Sequence, residues 1–357
     1  MASKDPKELD ALLKQRSEWL RGTGPLSDIV MSSRIRLARN VEKIPFATKA
    51  TDASQEEVLR IVNEGLAQST ELQQPLVLNL GDLDEVDRQF LVERHLVSRE
   101  HVLQPAHKAV AIGRGEIFSI MINEEDHLRI QVMQSGMNLR DGWRLIDALD
   151  DELSAAIHFA YTSDWGYLTC CPTNTGTGMR ASVMVHLPSL VITKQINKVL
   201  HAITKLGLTA RGLFGEGTEA SGNFFQISNQ VALGRTEEEL VENLERILEQ
   251  VIDHEQTARE SLMANNRTQL EDRIWRAFGI LKHAKTMSSN ETLDLLSAVR
   301  LGVDLGLMNG LDRTTVNELF LFSQPAHLQK LEGKRLTTQE RDTKRAELIR
   351  QRLGGQS

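Results

Sequence analysis

Two cysteines, adjacent at Cys170 and Cys171, are all that this 357-residue chain contains. Neighbours on an extended strand point to opposite faces, so no structural disulfide between them is expected, and zinc-ligand spacing is missing. No run approaches the roughly 18 uninterrupted apolar residues of a membrane-spanning helix, and no association with a membrane is expected. A basic excess is lacking too, since 42 Lys and Arg face 49 Asp and Glu for a formal net charge of −7. A general nucleic-acid binder carries the opposite balance, so direct nucleic-acid binding is not expected, although a local cationic pocket stays open. The segment Met1 to Leu13 carries Lys4, Asp5, Lys7, Glu8 and Asp10 and cannot serve as an apolar secretory segment. The expectation is a cytoplasmic protein. With 40% hydrophobic and 25% charged residues, the composition is that of a soluble globular chain, long enough for one large core or two domains.

Periodicity divides the chain. Lys7 to Arg21 predicts a short amphipathic helix with Leu9, Leu12, Leu13 and Leu20 on its apolar side, ended by Gly22, Gly24 and Pro25. Asp28 to Leu37 is extended, as are the alternating stretches Ala109 to Asn123 and Leu128 to Ser135, with a hairpin tip at Asn123 to Asp126. Leu139 to Thr162 predicts a long helix from Ile146, Leu149, Leu153, Ile157 and Ala160. Tyr167 to Cys171 and Ser182 to Leu187 are expected strands around a glycine-bearing loop, followed by a helix over Leu190 to Leu206 and a strand over Asn223 to Ser228. Thr236 with Glu239 three residues on makes a capping box, opening a helix through Leu240, Leu244, Ile247 and Val251. After about Thr257 strand signals vanish, and Ile274 to Lys285, Ser289 to Leu305, Arg313 to Phe322 and Thr338 to Leu353 all suit helix. An α+β part is therefore followed by an all-helical one of about a hundred residues, with no internal repeat.

The chemistry-bearing residues are chiefly arginines. In Ser32-Ser33-Arg34-Ile35-Arg36, Arg34 and Arg36 project from one face of an extended segment, roughly 7 Å apart. That span suits two successive phosphates, each taken by a planar guanidinium fork; a solvated strand face is the alternative. Arg129 follows Asn123-Glu124-Glu125-Asp126-His127-Leu128, Arg180 closes Cys171-Pro172-Thr173-Asn174-Thr175-Gly176-Thr177-Gly178-Met179, and Arg211 opens Gly212-Leu213-Phe214-Gly215-Glu216-Gly217-Thr218-Glu219. The glycine-bearing loop is not a P-loop, because no Gly-Lys-Ser/Thr follows it.

These four blocks, in this order, resemble the signature blocks of the phosphagen kinases, which move the γ-phosphoryl group of ATP to a guanidino nitrogen. The Cys-Pro-Thr-Asn-x-Gly-Thr-x-x-Arg block is long and specific. The resemblance implies an α+β fold, in which a phosphagen-kinase-like catalytic domain with a largely antiparallel sheet flanked by helices precedes the all-helical domain. It implies ATP contacts from Ser32, Ser33, Arg34, Ile35, Arg36, His95, Arg129, Arg180, Ala181, Ser182, Val183 and Met184. Arg211, Gly212, Leu213, Phe214, Gly215 and Glu216 complete that set. A lone histidine on a helix, such as His95, can equally be structural. Mg is implied as the companion of ATP, held by nucleotide phosphates rather than by a protein metal cluster. Glu125 and Glu216 are implied to grip the guanidinium acceptor and draw off its proton, with Glu125 the base, and Cys171 to add negative charge to the acceptor pocket. Gly215, Gly217 and Gly222 would let the segment around Glu216 close over the substrate.

Departures from the small-substrate members narrow the acceptor. Only about thirty residues precede Ser32, where those enzymes carry a helical domain, and Leu213, Phe214 and Gly217 replace the Thr, second Arg and His of their Arg-Gly-Thr-Arg-Gly-Glu-His pattern. The chain resembles instead the bacterial protein-arginine kinases, including their helical C-terminal domain, so protein substrates bearing exposed arginine are implied. That family's phosphoarginine-binding motif reads here Arg341-Asp342-Thr343-Lys344-Arg345-Ala346, giving Arg341, Asp342, Arg345 and Ala346 as an allosteric pocket; a solvated helix is the alternative. The expected division is 1–23 as an N-terminal helical segment, 24–257 as the catalytic domain and 258–357 as the regulatory one. The resemblance also implies an activator protein, the Clp protease machinery, a role in stress-response repression, and a homodimer or larger assembly. A catalytically silent phosphoarginine reader and a metabolic kinase for a free guanidino compound are the rival readings.

Overall fold

Leu9 and Leu12 are buried on α1 (Pro6–Lys14) in the computed structural model, which describes residues 6–68, 75–212 and 221–354. The helix is shorter than its periodicity predicts. It stops at Lys14, and a 3-10 turn at Glu18–Leu20 hands Trp19 and Leu20 to a different cluster. Next come β1 (Val30–Arg39), α2 (Asp52–Gln68), β2 (Leu76–Asn79), α3 (Glu85–Glu93), α4 (Arg99–Leu103), β3 (Ala109–Ile112), β4 (Phe118–Ile122) and β5 (Leu128–Ser135). The stretch Ala109 to Asn123 is therefore two strands, because Gly115 and Glu116 adopt positive φ and turn the chain back. Asn123 to Asp126 does form the β4–β5 hairpin tip, closed by Asn123 N donating to His127 O at 2.9 Å.

The helix α5 (Leu139–Ala156) ends six residues before its predicted limit. Ile157 is extended, Phe159 bridges Val41, and Ala160 N donates to Asn40 O, so pairing with the chain beyond β1 outcompetes one more helical turn. A small hairpin of β6 (Tyr161–Thr162) and β7 (Gly166–Tyr167) precedes β8 (Met179–His186), and residues 168–171 are irregular rather than strand. The expected helix over Leu190 to Leu206 is broken by Lys194 at φ 60° into α6 (Pro188–Ile192) and α7 (Ile196–Lys205). After β9 (Leu208–Gly212) and β10 (Phe224–Asn229), the Thr236–Glu239 capping box opens α8 (Glu237–Asn265). That helix runs unbroken past Thr257 and leads into α9 (Arg267–His283), α10 (Ser289–Asp304), α11 (Arg313–Phe322), α12 (Pro325–Glu332) and α13 (Thr338–Arg352).

The described residues form an eight-stranded antiparallel sheet in the order β2-β3-β4-β5-β1-β8-β10-β9. Alternation gives its two faces different fates. Ile35, Leu37, Ile130, Val132, Ala181, Val183 and Ile227 enter the main core with Ile146, Leu149 and Leu153 of α5 and Leu244, Ile247 and Leu248 of α8. On the opposite face, Arg34, Arg36, Arg180 and Ser182 occupy one end, whereas Met31, Met133, Met184 and Phe224 occupy the other. The methionine end is covered by Ile274, Leu293, Leu296, Val316, Leu319 and Ile349 of the C-terminal helices. The arginine end lines an open cleft. A third cluster, around Leu9, Leu80, Phe90 and Leu91, holds α1 and α3 against the outer strands.

Candidate functional site

Three adjacent strands, β5, β1 and β8, and one further along the sheet, β9, deliver the cationic side. Arg36 on β1 pairs in register with Arg180 on β8 and with Gln131 on β5; Arg34 pairs with Ser182; Arg211 on β9 pairs with Gln226 on β10. Like charges directly across two strands repel, so such a pairing calls for an anion. Arg34, Arg36, Arg129, Arg180 and Arg211 all line one cleft of about 660 Å3, together with His95, Gln131, Glu124 and Glu125. An adjoining lobe of about 310 Å3 shares Arg36, Glu125, Arg129, Arg180 and Arg211 and adds Cys171, Thr173, Asn174 and Gln230.

Burial, with the like charges of Arg129 and Arg180, pulls Arg34 down to about 9. Arg36 is held well below its ordinary value by burial and then by Arg129, Arg34 and Arg180, and its buried Nε has no hydrogen-bond partner among the described residues. An orphaned donor inside a cluster of like charges is what an anion-binding cradle presents before its anion arrives. The geometry is fixed from outside. Arg34 Nη2 donates to Gln226 Oε1 at 2.9 Å, and Arg129 Nη1 donates to Glu124 Oε1 at 2.7 Å. Glu124 also accepts from Ser98 Oγ at 2.6 Å and from the Glu125 backbone N–H at 2.7 Å. Burial pushes the Glu124 carboxyl up, but Arg129 and these donors outweigh it and bring it to about 2. His95 sits at φ 60° just beyond α3, its ring edge-on to Trp19 at 5.0 Å. Burial, then Arg34 and Arg99, take it to about 3, so it lines the cleft as a neutral imidazole.

Glu125 stands exposed at the hairpin tip where the two lobes meet. Partial burial, then the negative Asp126 and Glu124, raise its carboxyl above the ordinary range against the opposing pull of Arg129 and Arg180. The tip is tied to the cysteine loop by buried Asp126, which accepts from Asn40 Nδ2 at 2.6 Å and from the Cys170 backbone N–H at 2.7 Å. Asn40 further accepts from the His127 backbone N–H and donates to Leu168 O. Cys171 Sγ lies 3.1 Å from Thr173 Oγ1 and lines the smaller lobe, while Cys170 lies beside it as a second free thiol. Gly178, at φ 68°, lets this loop pass so close to β1 that a Cβ would meet Ala38 O at 2.6 Å.

The remaining sequence-predicted residues divide by position. Ile35, Ala181 and Val183 point into the main core and Met184 into the cluster under the C-terminal helices. Ser32 and Ser33 are buried, the latter donating to Gly136 O, and Gly212 ends β9. Leu213, Phe214, Gly215, Glu216 and Gly217 lie outside the described residues. In the C-terminal motif, Arg345 is buried with its donors on Ser323 O, Met287 O and Asp342 Oδ1 at 2.8, 2.8 and 2.5 Å, and Ala346 is buried in the helical core. Arg341 is half-buried and donates to Thr338 Oγ1 at 3.1 Å. The two arginines thus do not present equivalent faces. Sequence reasoning missed Glu124, Asp126, Asn40 and Gln226. The first two lie inside a recognised block beside Glu125, but nothing in the sequence pairs Asn40 with Asp126 or Gln226 with Arg34.

A cationic cradle on an antiparallel sheet, opening onto a pocket edged by a carboxylate and a thiol, defines a class of phosphotransferase that acts on guanidino groups. Residues 57–258 match the family model for the ATP:guanido phosphotransferase C-terminal catalytic domain, and the chain belongs to that family. Residues 267–357 match the protein-arginine kinase McsB C-terminal domain. Along nearly its whole length the chain is similar to protein-arginine kinases: it is 49% identical to that of Halothermothrix orenii over 344 residues, covering 96% of this chain and 98% of the relative. It is also 49% identical to that of Symbiobacterium thermophilum over 343 residues, covering 95% and 97%. Among solved structures it is similar to the duplicated taurocyamine kinase of Schistosoma mansoni, with a TM-score of 0.60, 28% identity and coverage of 72% of this chain and 36% of the other. A lombricine kinase matches with a TM-score of 0.59 at 26% identity, covering 72% and 78%.

Proposed function

We propose that this enzyme transfers the γ-phosphoryl group of ATP to a guanidino nitrogen of arginine side chains in proteins. The observation that carries the reading is the two-lobed cleft, in which Arg36, Arg129, Arg180, Arg211 and Glu125 border both lobes and Arg34 the larger one. Arg34, Arg36, Arg129, Arg180 and Arg211 hold the triphosphate and the charge that spreads over the γ-group as it loosens. Mg2+ would neutralise charge on the phosphates, held by their oxygens, because the residues around the larger lobe offer mainly guanidinium donors. The acceptor nitrogen attacks the γ-phosphorus, the N–P bond forms, and the bond to the β–γ bridging oxygen breaks to release ADP. Glu125 takes the proton the acceptor nitrogen gives up, a task suited to a carboxyl whose affinity for protons is raised. Cys171 lines the same acceptor lobe as Glu125, and Glu216 is assigned the second grip on the guanidinium.

Residues 24–257 act as the catalytic part and 258–357 as the regulatory part, with Arg341 and its neighbours reading phosphoarginine. Protein targets, an activator, delivery to Clp-type proteolysis, assembly into dimers or larger and a cytoplasmic setting belong to the same reading. No helix among the described residues is long and apolar enough to cross a membrane. Incubation with ATP and casein, followed by mass spectrometry under non-acidic conditions, tests the function. Phosphate on arginine is the expected product; phosphate on serine and threonine only, or on free arginine only, would reject it.

A further inference from the structure

Both of the chain's tyrosines and one of its four tryptophans fall on the single β6–β7 hairpin, as Tyr161, Trp165 and Tyr167. Tyr161 is 60% exposed and Trp165 57%, although large aromatic side chains normally find cover. Tyr167 makes a floor between them. Arg39, anchored to Asp150 at 2.7 Å, stacks on the Tyr167 ring at 3.4 Å, and Tyr161 meets that ring edge-on at 5.3 Å. The hairpin packs tightly on the loop that precedes β8: Tyr167 bridges Gly176, and Gly166 at φ 70° lies so close that a Cβ would meet Gly176 O at 2.5 Å. Above it opens a groove of about 980 Å3 whose far wall is Leu233, itself 42% exposed, with Thr236 and Glu237 at the start of α8. Charge in the groove comes from Asp164, Glu237 and Glu239 against the single basic Arg235. Beyond its rim Asp147, Asp151 and Glu238 add to the negative field felt by Glu237 and Tyr167.

The groove adjoins the acceptor lobe through two shared loops. In one, Thr173, Asn174 and Gly178 face the lobe while Gly176 and Thr177 face the groove; in the other, Gln230 faces the lobe and Leu233 the groove. Asn174 and Gly176 are only two residues apart, at most about 7 Å of chain. We propose that this aromatic, acidic groove is the docking track for the polypeptide that flanks the target arginine, and that it takes an extended segment carrying further basic residues. The proposal rests on the protein-substrate reading of the cleft. Two physical features select that occupant. Exposed aromatic faces beside carboxylates attract guanidinium and ammonium groups both by stacking and by charge. A target arginine inserted between the two loops leaves its neighbours in sequence lying across them, which an extended chain permits and a rigid surface helix does not.

The test compares two acceptors with the full chain: reduced, unfolded casein, and the capped tripeptide acetyl-Gly-Arg-Gly-amide, which has no side chain beside the arginine to place in the groove. A Tyr161→Ser, Trp165→Ser double variant is expected to raise KM for casein about tenfold, the scale of losing aromatic anchors, with kcat held within twofold. Tripeptide kinetics should not move. Asp164→Lys, an exposed charge reversal that leaves the aromatic floor in place, should raise KM for casein too, and less so at high salt. Unchanged casein KM in both variants would overturn the groove, as would equal losses with casein and tripeptide, which would mark a distortion of the acceptor lobe. Failure of the parent enzyme to phosphorylate arginine in either acceptor would overturn the functional reading and the groove with it.

Discussion

Glu125 carries the one carboxyl of the hairpin tip that is both exposed to the cleft and shifted toward holding its proton, while Glu124 one residue earlier is driven the opposite way by Arg129. In the proposed mechanism two neighbouring acids are thereby set to different tasks, one as base and one as a permanent anchor for Arg129. Glu125→Ala is expected to lower kcat by about 10²- to 10⁴-fold, the usual worth of a positioned base, while nucleotide binding measured by calorimetry stays within about twofold. Loss of nucleotide affinity in step with kcat would remove the base from the mechanism. The pH dependence follows from the sign of the shift. With Glu125 as the proposed base, transfer needs its ionised form, so the rate should fall as pH drops through its carboxyl, and this acid limb should lie above the ordinary carboxylate value of about 4.5. Since Glu124 is one of the charges raising Glu125, Glu124→Gln should move the limb to lower pH in a kcat–pH profile. The same change frees Arg129 and should raise KM for ATP about tenfold. A limb that stays put, with KM unchanged, would leave Glu124 without a positioning role.

At the scale of elements, three consecutive residues at the end of α3 serve three places. Glu93 accepts from the backbone N–H groups of Ala326 and His327 at the start of α12, at 2.8 and 3.0 Å, and so caps a helix more than two hundred residues away. Arg94 is fully buried against Glu116, Ser17 and Gln15 O, and His95 lines the larger lobe of the cleft. Burial raises the Glu93 carboxyl to about 7, against the pull of those two N–H groups and of Arg345 and Arg341. Its folded value thus exceeds the unfolded one of 4.5, so the folded state holds the extra proton between about pH 4.5 and 7, and this contribution to stability is lost as pH rises through that window. Denaturation midpoints across pH 5 to 8 should show the parent losing ground to Glu93→Gln as pH rises, with a slope of up to about 1.4 kcal/mol per pH unit. Parallel curves would mean that Glu93 is ionised throughout. None of this was legible in the sequence, where α12 itself went unpredicted, because a cap made by so distant a residue leaves no local pattern. What was legible is what local rules decide: the capping box at Thr236, the hairpin tip at Asn123 to Asp126, and the alternation that puts Arg34 and Arg36 on one face. The errors fall where a distant strand claims a segment with helical periodicity, as at Ile157 to Thr162, or where a positive φ breaks one, as at Lys194.

The whole molecule is organised by one sheet face used twice, for an arginine cradle at one end and for the C-terminal helices at the other. Met31, Met133, Met184 and Phe224 come from four strands spread over nearly two hundred residues, so their common burial under α9 to α13 could not be read from any window of the sequence. Polar ties reinforce the apolar contact. Arg300 of α10 is fully buried and donates to Ser27 O at 2.7 Å, Asp28 O at 3.2 Å and Asn317 Oδ1 at 3.1 Å, and it meets His186 of β8 at 2.8 Å. Removing one partner of such a network strands buried carbonyls and an imidazole, so Arg300→Ala should cost about 3–5 kcal/mol. The larger consequence concerns cooperativity. Because the helices complete the cover of the catalytic sheet rather than resting beside it, the parent should unfold in one calorimetric transition, and a chain cut after Asn265 should not fold alone. That piece would expose Met31, Met133, Met184 and Phe224 together and is expected to aggregate or to melt without a cooperative transition. A soluble 1–265 fragment with a sharp transition of its own would show that the sheet stands without its helical cover, and that any message passing from the C-terminal motif to the cleft has to cross a loose interface instead of a shared core.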